Sequence, residues 1–134
     1  MKKKRSWLSR LLLTALIAGL LGTVVFAGSP RSYFSCTFNG QAKYFTSNGT
    51  KTDADSSTGS YANVRLTSGV LNDRYLTFWV LNESGYQATG SVNLYSLNTV
   101  GSMYYLSGQL YNGPKTLIIS SSGGVDGCAG YWNP

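Results

Sequence analysis

The sequence predicts an all-β domain, an antiparallel sandwich or small barrel of about seven or eight short strands. After residue 27 no stretch sustains a helical period, short runs alternate apolar with polar residues, and Gly, Asn, Asp and Ser clusters interrupt them at close, regular spacing. Many of the residues in those runs are aromatic or β-branched, which suits a pleated, half-buried surface.

The first 27 residues are of another kind. Lys2, Lys3, Lys4, Arg5 and Arg10 precede an apolar run from Leu11 to Val25, and Val25 and Ala27 place small residues before a cut that would leave Gly28 at the new terminus. This is the pattern of a cleaved secretory signal peptide. An uncleaved membrane anchor over residues 7–27 is the alternative, because that stretch is just long enough to cross a bilayer as a helix. Both readings export residues 28–134 as a single β domain, periplasmic or extracellular.

Export also explains the charge. The chain of 134 residues carries a formal net charge of +6, but residues 28–134 hold six basic side chains against five acidic ones, a net of +1. The six, Arg31, Lys43, Lys51, Arg65, Arg74 and Lys115, are scattered singly, so no phosphate-tracking groove and no nucleic-acid partner is expected.

Cys36 and Cys128 are the only cysteines. In an oxidising compartment they form one disulfide, which would close nearly the whole domain into a loop and stabilise it by roughly 4 to 5 kcal/mol on the chain-entropy account.

The elements follow in order. YFSCTF (33–38) and QAKYFTS (41–47) flank Asn39-Gly40, the dipeptide that favours a tight hairpin turn, with Phe34, Cys36 and Phe38 inward and Tyr33, Ser35 and Thr37 outward. The polar stretch 48–60 is expected as a surface loop or a mobile crossover. YANVRLT (61–67), RYLTFWVL (74–81) and YQATGSVNLY (86–95) are the middle strands. Leu76, Phe78 and Val80 share one face, and Tyr75, Thr77, Trp79 and Leu81 the other. In 86–95 the period groups Tyr86, Ala88, Val92 and Leu94 against Gln87, Thr89, Ser91, Asn93 and Tyr95.

MYYLSGQLY (103–111) then pairs with TLIIS (116–120) through a turn at 112–115 that uses Pro114. Here Tyr104, Leu106 and Leu110 are expected inward, and Tyr105, Ser107, Gln109 and Tyr111 outward. A short last strand near CAGYW is pinned by Cys128.

No catalytic residue is expected. The chain has no histidine, which excludes Ser-His-Asp and Cys-His arrangements and most zinc sites. Asp53, Asp55 and Ser57 imitate the start of a calcium loop, but Thr58 and Val64 stand where its glycine and bidentate glutamate belong. Neither a metal nor another cofactor is expected.

What remains is a face of Tyr75, Trp79, Tyr95, Tyr105 and Tyr111 among hydroxyl and amide residues. Such rings offer apolar area with a polar edge at low entropic cost, the chemistry of a protein-binding or glycan-binding surface. The expected function is therefore non-enzymatic: an exported sandwich that binds a protein partner, with a carbohydrate-binding module or a self-associating surface protein as alternatives.

FSCTFNGQ, GYQATGSVNLY and LYNGPKTLIISSSGGVDGCAGYW together resemble a family of small exported bacterial β domains of unknown function. The resemblance implies an exported β-sandwich and supplies no catalytic residues.

Overall fold

The computed structural model describes residues 29–38, 44–56, 59–71, 74–123, 125 and 127–134. The signal segment and the Asn39-Gly40 turn lie outside them. Eight strands form: β1 (Ser32–Thr37), β2 (Tyr44–Lys51), β3 (Tyr61–Gly69), β4 (Leu76–Leu81), β5 (Val92–Leu94), β6 (Val100–Tyr104), β7 (Gly113–Ser121) and β8 (Gly127–Asn133). They make two antiparallel four-stranded sheets, β1-β8-β3-β6 and β2-β7-β4-β5, and neither closes into a barrel.

Among consecutive strands only β4 and β5 are neighbours in one sheet; every other connection passes from one sheet to the other. Both expected hairpins are therefore corrected. β1 pairs with β8 and β2 with β7, so Ser32–Thr37 and Tyr44–Lys51 lie in opposite sheets. β6 pairs with β3, while β7 lies between β2 and β4. Pro114 is the second residue of β7, opposite Thr50, rather than part of a turn. A proline is tolerated there because a strand end can spare one ladder donor.

The core lies between the sheets and follows the period of the strands. Phe34 and Cys36 from β1, Ala62, Val64 and Leu66 from β3, Leu76, Phe78 and Val80 from β4, Leu117 and Ile119 from β7, and Trp132 from β8 all point into it. Phe34 meets Phe78 across the gap at 6.2 Å between ring centroids. The indole of Trp132 donates to Ser47 Oγ at 3.1 Å, so the largest core side chain is tied to the opposite sheet.

Cys36 and Cys128 are joined in a disulfide, and they are direct cross-strand partners with Cα atoms 5.4 Å apart. The bridge staples β1, an edge strand, to β8. One position on the inner surface is reserved for packing: a Cβ on Gly49 would lie 2.8 to 2.9 Å from Pro134, Ser32 and Trp132. The missing side chain is what lets the end of the chain close over β2.

Two further expectations change. The loop assigned to 48–60 is shorter, because Asn48–Lys51 continue β2 against Gly113–Thr116 of β7. The pairing overrides the poor strand preference of Asn and Gly. In 86–95 only Val92–Leu94 is a regular strand, with isolated bridges at Gln87 and Thr89. The register breaks around Gly90, so Tyr86 is exposed while Thr89 is buried, its Oγ1 accepting from Val80 N at 3.0 Å.

Candidate binding face

The outward face of the β2-β7-β4-β5 sheet is built from alternate residues of its strands. β2 contributes Tyr44, Thr46, Asn48 and Thr50; β7 contributes Pro114, Thr116, Ile118 and Ser120; β4 contributes Thr77, Trp79 and Leu81; and β5 contributes Asn93. No charged side chain points outward from these four strands.

Two aromatic pairs stand on the face. Tyr44 and Trp79 meet edge to face at 6.2 Å, although β7 runs between their strands. Their rings close over β7, where Ile118 is only 8% exposed despite facing outward. The second pair is Tyr75 and Tyr95, at 5.2 Å, beside the Leu76–Leu94 step of the β4–β5 ladder. Two residues along β4 span about 7 Å, so Tyr75 and Trp79 lie about 13 Å apart with Thr77 between them. Thr77 donates to Asn93 Oδ1 at 2.7 Å, and Thr116 to Asn48 Oδ1 at 3.1 Å. The face is thus a band of rings separated by hydroxyl and amide groups that are already oriented.

Of the five aromatic residues predicted from sequence, Tyr75, Trp79 and Tyr95 share this face, and Tyr44 joins them. Tyr105 and Tyr111 do not. β6 ends at Tyr104, and residues 106–109 turn, with Gln109 N donating to Leu106 O and Gly108 at φ +77°. Alternation runs through Met103, Tyr104 and Tyr105 in the phase opposite to the expected one, with Met103 buried, and it ends at the turn. Tyr104, expected inward, is 64% exposed; Leu106 and Leu110 are exposed too. Tyr105 instead packs against the core.

The other sheet also carries outward aromatics that the expected site omits. Tyr33 meets Tyr131 at 6.0 Å, and Tyr61 meets Tyr104 at 5.6 Å. Charges accompany them: the Arg31 guanidinium lies 4.0 Å over the Tyr131 ring, and Arg65 projects from β3 on the same side. The two faces are alike in rings and different in charge.

A second cluster, which sequence reading missed altogether, lies at the β2–β7 end of the sandwich. Lys51 and Lys115 both point inward and are fully buried. Lys51 Nζ contacts Asp53 Oδ1 at 2.7 Å and the main-chain oxygen of Pro134 at 3.0 Å, and it stands 5.0 Å over the Tyr105 ring. Burial by itself would raise the Asp53 carboxyl, but hydrogen bonds from Lys51 and Ser29, with the lysine charge, outweigh it and hold the group below its ordinary value.

Lys115 Nζ rests 3.6 Å over the Tyr111 ring and has no hydrogen-bond acceptor among the described residues. Burial, helped by the charge of Lys51 and opposed by Glu83, pushes its ammonium down. The Tyr105 hydroxyl is likewise buried without a partner, and burial, followed by the charges of Asp53 and Tyr111, pushes it well above the usual tyrosine range. Asp53, the first residue of the calcium-like stretch, is thus committed to Lys51 and Ser29, and Asp55 is exposed. Ser57 lies outside the described residues.

Comparison with protein families, with curated proteins and with solved structures found no match to this chain.

Proposed function

We propose that this protein is a non-enzymatic, exported β-sandwich that binds a protein partner through the outward face of the β2-β7-β4-β5 sheet, as an accessory subunit of an envelope or extracellular assembly. One observation carries the proposal: β2 and β4 present Tyr44 and Trp79, with Tyr75 and Tyr95 flanking β4 and β5, among hydroxyls and amides, and no charged side chain points outward from the four strands. Interface cores are enriched in Tyr and Trp and depleted in charge, whereas a face that only meets water has no reason to exclude lysine and glutamate.

The test is the size of the species isolated from the native envelope, for the wild type and for Tyr44→Ala/Trp79→Ala. These outward rings can be removed without opening the core. The wild type is expected in a heavier assembly and the double variant as a released monomer, since a central aromatic anchor contributes about 2 kcal/mol or more. A wild type that is itself a monodisperse monomer overturns the proposal.

The glycan-binding alternative is separated by tryptophan fluorescence. Trp132 is buried, whereas Trp79 stands on the face, so a glycan on the face must change the Trp79 signal. A heavier species made only of this chain would favour the self-associating alternative.

A further inference from the structure

Two arginines meet at one tyrosine on the outward side of the β1-β8-β3-β6 sheet. Arg31 is exposed, and its guanidinium lies 4.0 Å over the Tyr131 ring. Arg65 is the residue directly opposite Tyr131 in the β3–β8 ladder, with Cα atoms about 5 Å apart, and it projects from the same side between buried Val64 and Leu66. Like charges held this close repel, and only an anion between them reverses the sign of that interaction.

No carboxylate supplies it. The four strands of this sheet contain no acidic residue. Among the described residues the one ion pair joins Lys51 to Asp53, and Arg65 Nε is covered without a hydrogen-bond acceptor. Glu83 lines a groove with Lys115, and Asp55 belongs to the connection from β2 to β3. Asp73 and Asp126 lie outside the described residues.

The rest of the face selects the kind of anion. Tyr33, 73% exposed, stands beside Tyr131, and Tyr104, 64% exposed, beside Tyr61. Tyr33 shares a row with Arg65, and Tyr104 a row with Tyr61, so the line from Tyr33 to Tyr104 crosses three strand spacings and four residues, about 20 Å. Arg31 lies on one side of that line and Arg65 on the other, with Asn63 beneath it. Between the rings and the arginines the strands present hydroxyls, amides and glycine, with Val100 and Ala129 as the only aliphatic side chains. That is too little apolar surface for the dry centre of a protein interface. It suits a sugar chain: the C–H face of a sugar ring lies on a tyrosine, its hydroxyls meet amides and hydroxyls, and a carboxylate takes the paired donors of a guanidinium.

We propose that this face binds an acidic polysaccharide, a chain of sugar units bearing carboxylates that runs from Tyr33 to Tyr104 and is held by Arg31 and Arg65. The site is on the sheet opposite the proposed partner face and does not depend on it.

Oligomers of galacturonate and of mannuronate are the probes. The methyl ester of the galacturonate oligomer keeps the sugar and removes the charge; polyglutamate with the same number of carboxylates keeps the charge and removes the sugar. Each is titrated into the isotope-labelled protein while backbone amide shifts are followed. At least one uronate oligomer should give saturable shifts at Tyr33, Asn63, Arg65 and Tyr131 and none at Tyr44 or Trp79, with the ester and polyglutamate both at least tenfold weaker. Arg31→Gln, which alters an exposed residue ahead of the first strand, and Arg65→Gln should each weaken the uronate about threefold to tenfold, the loss of one charge-assisted pair. Tyr44→Ala/Trp79→Ala should leave it unchanged, which keeps this site distinct from the partner face.

Shifts from both uronates no larger than those of sodium chloride at equal ionic strength would overturn the proposal. So would an ester that binds as well as the acid, polyglutamate that binds as tightly as the uronate, or full uronate affinity in Arg31→Gln.

Discussion

Lys115→Met should make the protein more stable. The buried ammonium lacks an acceptor among the described residues, and an unsatisfied buried polar group costs about 1 to 3 kcal/mol, more when it is charged. The Tyr111 ring, 3.6 Å from Nζ, returns part of this, about 1 to 2 kcal/mol for a desolvated pair. Methionine keeps most of the apolar stem and removes the charge, so the expected gain is about 1 to 2 kcal/mol.

In a domain of roughly 100 residues that gain raises the melting temperature by about 5 to 10 °C. Urea unfolding should show a higher midpoint at unchanged slope. The pH dependence gives an independent arm. Burial and Lys51 hold the folded ammonium below 10.5, the ordinary value that the unfolded chain keeps. Between those two values the unfolded state binds the extra proton, so wild-type stability rises as pH climbs toward 10.5. Lys115→Met should lose that contribution. A variant less stable than wild type, with the alkaline rise intact, would show that the ammonium is satisfied and would refute the reasoning.

Other perturbations have different signs. Asp53→Ala leaves the fully buried Lys51 with only the Pro134 oxygen and should cost about 3 to 5 kcal/mol in urea unfolding. Because the Asp53 carboxyl lies below its ordinary 3.8 when folded, its contribution is full above that value and lost as pH falls through the folded value, so the variant should show a flatter acid limb. Replacing Cys36 and Cys128 with alanine, or adding reductant, should lower stability by roughly 4 to 5 kcal/mol, given a sequence separation of 92 residues. Gly49→Ala should cost about 1 to 3 kcal/mol by overpacking against Trp132 and Pro134, measurable as a fall in melting temperature.

The facing of the strands was legible because it is local. Phe34, Cys36 and Phe38, and Leu76, Phe78 and Val80, are buried as their alternation predicts. Pairing was not legible, because a turn signal states that the chain reverses and says nothing about which sheet it returns to. With connections that mostly cross the core, a hairpin reading fails even where the flanking strands are right. The same limit hid the lysine cluster. Lys51 and Lys115 look like ordinary strand-end cations in sequence; only the pairing of Lys51 with Gly113 and of Gly49 with Lys115 brings both to one end of the sandwich. Tyr105 and Tyr111 were misplaced for a related reason: the inward phase was taken from Leu106 and Leu110, carried across the turn at Ser107-Gly108, whereas buried Met103 sets the opposite phase for Tyr104 and Tyr105.

The adjacent aromatics clarify which surface is unusual. In Tyr33-Phe34, Tyr44-Phe45, Phe78-Trp79, Tyr104-Tyr105 and Tyr131-Trp132, one ring packs into or against the core and the other faces out. The outward rings are not isolated either: Tyr33 meets Tyr131, Tyr44 meets Trp79 and Tyr61 meets Tyr104. Such pairs tie strands laterally, each by about 0.5 to 1.5 kcal/mol beyond its buried area. Outward tyrosines on both sheets therefore have a structural account that requires no ligand. Lateral pairing, however, works equally well beside charged residues, as Arg31 and Arg65 show on the β1-β8-β3-β6 face. It does not explain why the opposite face has none. The asymmetry in charge, rather than the abundance of rings, is what supports the proposal that the β2-β7-β4-β5 face is the one a partner covers.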